Sequence, residues 1–170
     1  TAVDTLQAQR ASWHVPAFDT LFWLQRQHRW CVVIPVINEG ARIKSLLTRM
    51  ATLKIADIAD IIIIDGGSTD GSLQPEALQN LGVRGLLLKT GAGKLSAQLR
   101  CAYACALDQG YEGIVTIDGN DKDEPQAISR FIQALEQGVD FVQASRFVEG
   151  GKAENTPRSR DLAIRLIHAP

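Results

Sequence analysis

The sequence predicts an α/β fold, with a mostly parallel sheet covered by helices on both faces. Three observations carry this. Apolar, β-branched runs alternate with helical patterns from residue 30 onward. The runs are near-continuously apolar, as strands buried on both faces are. The polar and glycine-rich residues follow the ends of the runs, where parallel sheets collect their ligands.

The predicted strands are 31–37, 58–65, 83–89, 113–118 and 141–145. Helical patterns lie between them at 41–51, 74–81, 94–109 and 125–137. In the third helix, Leu95, Leu99, Ala102 and Ala106 recur at three- and four-residue spacing, and Gly110 supplies a C-terminal stop. Residues 1–29 differ in kind. Trp13, Phe18, Phe22 and Trp23 read as an aromatic-rich helical extension, with an amphipathic helix around 18–27 packed over the sheet. A membrane interface is the other surface such a helix suits, with Arg26, His28 and Arg29 at the head groups. Residues 30–147 form the α/β domain. Residues 148–170 read as a flexible, charged, glycine-containing loop followed by the start of a further segment.

At 170 residues the chain has room for one large core. A net charge of -1 gives no electrostatic case for nucleic acid or for an anionic bilayer. The greasiest run, 61–64, is strand-sized and far short of a membrane span. The N-terminus lacks the layout of a signal peptide. Three cysteines without a Cys-x-x-Cys pair make neither a zinc site nor a disulfide framework, which predicts a cytoplasmic location.

The strand ends carry the chemistry. Asp65 closes an oily strand and can accept from a ribose hydroxyl or a base N–H, while Thr69 or Asp70 is placed to cap the next helix. Gly91-Ala92-Gly93-Lys94 precedes a helix but fits neither the Walker loop nor the dinucleotide fingerprint, so alone it reads as a β–α turn. Asp118, Asp121, Asp123 and Glu124 crowd into one bend that does not match an EF-hand, because Lys122 and Asp123 fill its fifth and sixth places. Asp123 and Glu124 suit a helix N-terminus. Asp118 and Asn120 can both face one hard divalent ion that keeps positions open for phosphate. The three histidines, at 14, 28 and 168, lie away from these strand ends in sequence.

Taken in order, these segments resemble the family 2 glycosyltransferases of the A-type fold, and within them the dolichyl- or polyprenyl-phosphate sugar transferases. Val33-Ile34-Pro35-Val36-Ile37-Asn38-Glu39 resembles the first strand and its Pro-x-x-Asn-Glu loop. Ile63-Ile64-Asp65-Gly66-Gly67-Ser68-Thr69-Asp70-Gly71 resembles the Asp-Asp-Gly-Ser-x-Asp segment. Gly91-Ala92-Gly93-Lys94 sits at the place of the Gly-Lys turn, and Asp118-Gly119-Asn120 at that of the metal-binding Asp-x-Asp. The likeness runs over 31–151.

The resemblance implies a three-layer sandwich with a Rossmann-like sheet of the nucleotide-diphospho-sugar transferase type. It implies inverting transfer from a UDP- or GDP-type sugar to an acceptor, a polyprenyl phosphate among the candidates. Pro35, Val36, Asn38 and Glu39 would line the nucleotide pocket, Asp65 would meet the base or ribose, and Gly91 and Lys94 would sit near the base or phosphate. Asp118 and Asn120 would hold Mg²⁺ or Mn²⁺. Arg146, with one of Lys152, Arg158 or Arg160, would face an anionic acceptor or the leaving phosphates. The chain departs from the pattern at Asn120 and Gly66, each in place of a second acid, at Lys122, and at Ile37 in place of an aromatic. It also looks short beside such enzymes. The departures define an alternative reading, a non-catalytic nucleotide-sugar-binding module.

Overall fold

A computed structural model of the chain describes residues 13–120 and 125–137, and the backbone of 163–166. Six strands, β1 (Phe18–Trp23), β2 (Trp30–Val36), β3 (Asp60–Asp65), β4 (Val83–Lys89), β5 (Gly113–Thr116) and β6 (Ala163–Leu166), form one sheet in the order β1-β4-β3-β2-β5-β6. The central ladders β4–β3, β3–β2 and β2–β5 are parallel, and β1 and β6 pair antiparallel at the two sides. Four helices accompany them: α1 (Ala41–Thr52), α2 (Pro75–Asn80), α3 (Leu95–Asp108) and α4 (Gln126–Glu136). This is the predicted mostly parallel α/β sheet. The predicted strand at 141–145 and the loop at 148–160 lie outside the described residues.

Period-two alternation sorts the strand side chains into two cores. Val32, Ile34, Val36, Ile61 and Ile63 face one side, where Ile43, Leu46, Leu47 and Met50 of α1 and Ile128, Ile132 and Leu135 of α4 cover them. Cys31, Val33, Ile62, Ile64 and Leu87 face the other, under Leu99, Cys101, Ala102 and Cys105 of α3. Helices on both faces make three layers. Each fully buried strand isoleucine contributes about 1.5–3 kcal/mol of burial free energy, which is why 61–64 reads as an uninterrupted apolar run rather than an alternating one. Gly110, at φ 83°, ends the last turn of α3 as expected, its N–H donating to Leu107 O at 3.0 Å.

The direction of winding fixes where a ligand can sit. From β2 the chain steps outward through β3 to β4, with α1 and α2 as crossovers. It then returns by α3 to place β5 on the other flank of β2. The strand order therefore reverses between β2 and β5, and the crevice beyond their carboxyl ends is the topological switch point.

The helix expected around 18–27 is not formed. Phe18–Trp23 is a strand, paired antiparallel with β4 from Phe18↔Lys89 to Trp23↔Gly85 with an irregularity between Thr20 and Phe22. A spacing of four, as between Phe18 and Phe22, fits a strand as readily as a helix. What decides is the open edge of β4, whose N–H and C=O groups need a partner. Gly85 contributes too: a Cβ there would meet the Trp23 ring at 2.5 Å, so the bare backbone makes room for the indole. Thr69 and Asp70 also do not cap the following helix. The N-cap of α2 is Gln74, with Pro75 at the first helical position.

Candidate functional site

The loops after β2, β3, β4 and β5 all open on the carboxyl edge of the sheet, and the first two are laced together. Asn38 adopts a left-handed conformation, φ 48°, which asparagine tolerates better than other residues with a side chain. Its N–H donates to Ser68 Oγ at 3.0 Å, and its Oδ1 accepts from Thr69 N–H at 2.8 Å. Gly40 N–H donates to Asp70 Oδ2 at 3.0 Å. The loop following β2 is thus clasped to the loop following β3 by groups more than two dozen residues apart in sequence. Asn38 is exposed, so these bonds contribute about 0.5–1.5 kcal/mol each and mainly fix geometry.

Asp65 terminates β3 at 6% exposure. Its Oδ1 accepts from Gly67 N–H at 3.0 Å, Ser68 N–H at 2.8 Å and Ser68 Oγ–H at 2.8 Å. Its own turn therefore orients the carboxylate, and among the described residues all three donors converge on one of its two oxygens. Pro35 and Val36 are buried, so only their backbone faces the edge. Val36 O is held by Gly66 N–H at 2.8 Å. Glu39 lies 3.0 Å from Arg42 Nη2 through Oε2. Because Oε2 takes no hydrogen bond among the described residues, that contact is Coulombic.

The bend after β5 packs directly on β2. A Cβ at Gly119 would come within 3.1 Å of both Pro35 O and Val36 Cγ2, so the loop backbone rests against the strand end. This brings Asp118 and Asn120, both partly buried, to the switch point. Asp118 Oδ1 accepts the Asn120 backbone N–H at 3.1 Å, a local turn that orients the Asp118 carboxylate. Carboxylate and amide oxygens are the donors a hard divalent ion takes, so this pair fits one that draws its remaining ligands from phosphate and water. Among the described residues there is no cluster of three or more His, Cys, Asp or Glu side chains able to hold a metal alone.

Gly91 and Lys94 stand at the same edge, beyond β4. A Cβ at Gly91 would strike Ala17 N at 2.8 Å and Pro16 Cβ at 2.9 Å, and Ala17 O accepts the N–H groups of Thr90 and Gly91 at 2.9 and 2.8 Å. Gly91 is therefore required by the close approach of the segment leading into β1. Lys94 is the exposed N-cap residue of α3. Arg146, Lys152, Arg158 and Arg160 lie outside the described residues, as do Asp121, Lys122, Asp123 and Glu124.

One polar side chain at this edge escaped the sequence reading. Gln98, on α3, is 4% exposed, and its amide Nε2 reaches Val36 O at 3.1 Å and Ile64 O at 3.3 Å. The available signal was positional: Gln98 sits on the apolar stripe with Leu95, Leu99 and Ala102, where a lone amide calls for a buried partner.

Fold and site together define a doubly wound α/β protein with a polar cluster at its switch point. The chain belongs to Glycosyl transferase family 2, whose sequence profile matches residues 31–168. It is 29% identical over 135 residues to the polyprenol monophosphomannose synthase of Mycolicibacterium smegmatis, covering 78% of this chain and 50% of that protein. It is likewise 29% identical over 138 residues to the undecaprenyl-phosphate mannosyltransferase of Micrococcus luteus, covering 79% and 55%. Among solved structures, glucosyl-3-phosphoglycerate synthase from Mycobacterium tuberculosis, in complex with Mn²⁺, UDP and glucosyl-3-phosphoglycerate, aligns at a TM-score of 0.47 and 21% identity, covering 78% of this chain and 43% of that one. That enzyme has also been solved in complex with Mg²⁺ and UDP. The chain spans about half the length of the curated relatives it matches. No helix among the described residues is long and apolar enough to cross a membrane.

Proposed function

We propose that this chain carries the donor side of an inverting glycosyltransferase that moves a sugar from a UDP- or GDP-sugar to a polyprenyl phosphate. Residues 30–147 are its nucleotide-sugar-binding part, and 148–170 begin its acceptor side. The observation that carries the reading is the meeting of Asp65, the Asn38 clasp and Asp118 at the switch point of a family 2 glycosyltransferase chain.

In this reading Asp65 accepts a hydrogen bond from the base or ribose, with its carboxylate pre-oriented by Gly67 and Ser68. Pro35 and Val36 contribute backbone, Asn38 and Glu39 the rim, and Gly91 and Lys94 the far wall toward base or phosphate. Asp118 and Asn120 hold Mg²⁺ or Mn²⁺, which when bound supplies positive charge to the diphosphate. Arg146 assists with the phosphates or the acceptor. An acceptor phosphate oxygen forms its bond to the anomeric carbon on the face opposite the diphosphate, and the bond to the nucleoside diphosphate breaks with its electron pair. A phosphate acceptor is already largely ionised near neutral pH, its second pKa being about 6, so the step needs no general base. Lipid-linked acceptors place the enzyme at the membrane surface as a peripheral protein.

The alternative of a decayed, non-catalytic module rested on Asn120, Gly66 and the shortness of the chain beside such enzymes. Gly66 now has a packing reason, since a Cβ there would meet the Gln98 amide at 2.8 Å. Asn120 remains among the departures, as a neutral oxygen ligand.

The test is thermal stabilisation of the chain by UDP, GDP and their mannose and glucose conjugates, each with Mn²⁺, Mg²⁺ or EDTA. A ligand at about a hundred times its Kd adds about 2.7 kcal/mol to the folded state. A melting-temperature rise with one nucleotide that EDTA abolishes is expected. No shift with any of them overturns the reading.

A further inference from the structure

The Gln98 carboxamide bonds the ends of both β2 and β3 at the candidate site. One NH₂ group serves Val36 O at 3.1 Å and Ile64 O at 3.3 Å. Its orientation is set by chemistry, because turning the amide over would press its oxygen against two carbonyl oxygens. The whole carboxamide lies on Gly66: a Cβ there would come within 2.8 Å of Cδ and Nε2 and 3.1 Å of Oε1. Gly66 and Gln98 are therefore one device. A side chain at 66 and an amide at 98 cannot both occupy that space.

These two carbonyls matter because each begins a peptide plane that enters the site. The Val36 carbonyl belongs to the plane that leads into Ile37 and Asn38, and the Ile64 carbonyl to the plane that leads into Asp65. Clamping both planes sets the direction in which the Asn38 loop and the Asp65 carboxylate leave the sheet. Gln98 itself stands on the first turn of α3, directly after the Gly91–Lys94 segment. It thus ties together three of the four loops that open on the carboxyl edge.

We propose that Gln98, seated on Gly66, is a positioning residue of the nucleotide site, acting through the Val36 and Ile64 carbonyls on Asn38 and Asp65. The inference rests on the reading that this edge takes a nucleoside diphosphate. It predicts that ligand affinity, and not only stability, depends on the amide.

The experiment is calorimetric titration of UDP and GDP, with Mg²⁺ present, into the wild-type chain and into Gln98→Met, Gln98→Glu, Gly66→Ala and the double variant Gly66→Ala/Gln98→Met. All are measured well below their melting temperatures, with near-ultraviolet circular dichroism confirming the fold. Gln98→Met fills the same volume without donors and is expected to weaken nucleotide binding about tenfold. Gly66→Ala displaces the amide and should do the same, and the double variant should be no weaker than either single one, since both remove one interaction. Gln98→Glu adds a test that a purely structural residue would fail. At pH 8 its carboxylate repels the two carbonyls, whereas near pH 5 the protonated acid can donate one hydrogen bond. Its affinity relative to wild type should therefore recover as the pH falls. Wild-type affinity in a folded Gln98→Met, or full additivity of the two single losses, overturns the positioning role while leaving the nucleotide site standing. Should Gln98→Met not fold, Gly66→Ala decides the question alone by the same criterion. Absence of nucleotide binding to the wild-type chain fells the site reading, and the positioning role with it.

Discussion

Strand β3 begins with Asp60 and ends with Asp65; both are buried, and each takes three hydrogen bonds on a single carboxylate oxygen. The donors differ in origin. Asp60 Oδ2 accepts from Gln27 N–H at 2.9 Å, His28 N–H at 3.4 Å and Tyr111 O–H at 2.6 Å, groups brought in from distant parts of the chain. Asp65 is served entirely by the turn after it. The first aspartate staples the β1–β2 connection and the segment before β5 to the amino edge of the sheet. The second is held by its own loop, so it can meet a ligand without any tertiary contact being broken. Burial alone does not mark a functional acid; what matters is whether its bonds close the fold or only set its direction.

The strongest way to break this comparison is Asp60→Ala. It takes the acceptor from the buried Tyr111 hydroxyl and from the part-buried Gln27 and His28 N–H groups, and each hydrogen bond to a charged group contributes about 1.5–3 kcal/mol. Urea unfolding should show that loss, while nucleotide affinity of the folded protein stays at the wild-type level. A large affinity change with little loss of stability would mean the two edges are not separate in role.

Asp65→Asn is the counterpart. The amide oxygen still accepts from Gly67 and Ser68, so stability should fall by no more than about 1 kcal/mol. Loss of a charged acceptor toward base or ribose should cost about 1.5–3 kcal/mol in binding, roughly a tenfold to hundredfold rise in Kd for UDP or GDP. Titration calorimetry beside urea unfolding sharpens the contrast, because the two aspartates should exchange which measurement responds.

Tyr111→Phe probes the amino edge more gently. Burial first, then the hydrogen bond to Asp60 and the Asp60 charge, push the Tyr111 phenol far above its ordinary pKa. A pKa raised on folding contributes stability that is fully present below the unfolded value of about 10 and is lost as pH rises beyond it. The wild-type chain should therefore lose stability in that alkaline range more steeply than Tyr111→Phe. At neutral pH the variant should be about 1–2 kcal/mol less stable, and the gap should close as pH climbs. Parallel melting curves across the alkaline range count against the Tyr111–Asp60 bond.

The same contrast explains what could be read in the sequence. The carboxyl edge was legible because its signals are local: strand ends, glycines and carboxylates a few residues apart, with the bonds that orient Asp65 made inside its own turn. The parallel sheet was legible for a related reason, since strands covered on both faces show as unbroken apolar runs. The Asp60 staple was not, because Gln27, His28 and Tyr111 meet it only after the chain has folded. Gln98 had a positional signal on its apolar stripe, but which carbonyls it serves depends on the packing of α3 against two strand ends. The strand at Phe18–Trp23 was missed because its spacing suits two periods, and the deciding factor, an open edge on β4, belongs to another segment. Gly66 misled for a similar reason: beside the family pattern it reads as a lost acid, whereas the structure fills its space with an amide.

The smallest expected effect lies at Asp70, which shares features of both aspartates. Its Oδ1 accepts locally from Ser72 Oγ–H at 2.6 Å and Ser72 N–H at 3.0 Å, and its Oδ2 accepts across to Gly40 N–H at 3.0 Å. The Ser72 hydroxyl first, then the Ser72 and Gly40 amides, hold its carboxyl below the ordinary range. Stability from such a group is present above the unfolded carboxylate value of about 3.9 and is lost as pH falls through the lower folded value. Asp70 is exposed, so water competes for every one of these bonds and screening shrinks the contribution. Asp70→Asn should accordingly lower the melting temperature slightly at neutral pH, and the two melting curves should merge as pH falls through the lowered folded value. If they stay parallel into acid, the carboxylate charge contributes nothing and the tie to Gly40 is geometric alone. If Asp70→Asn instead weakens nucleotide binding as much as Asp65→Asn does, the clasp between the two loops carries the ligand's orientation, and Asp65 is its recipient rather than its source.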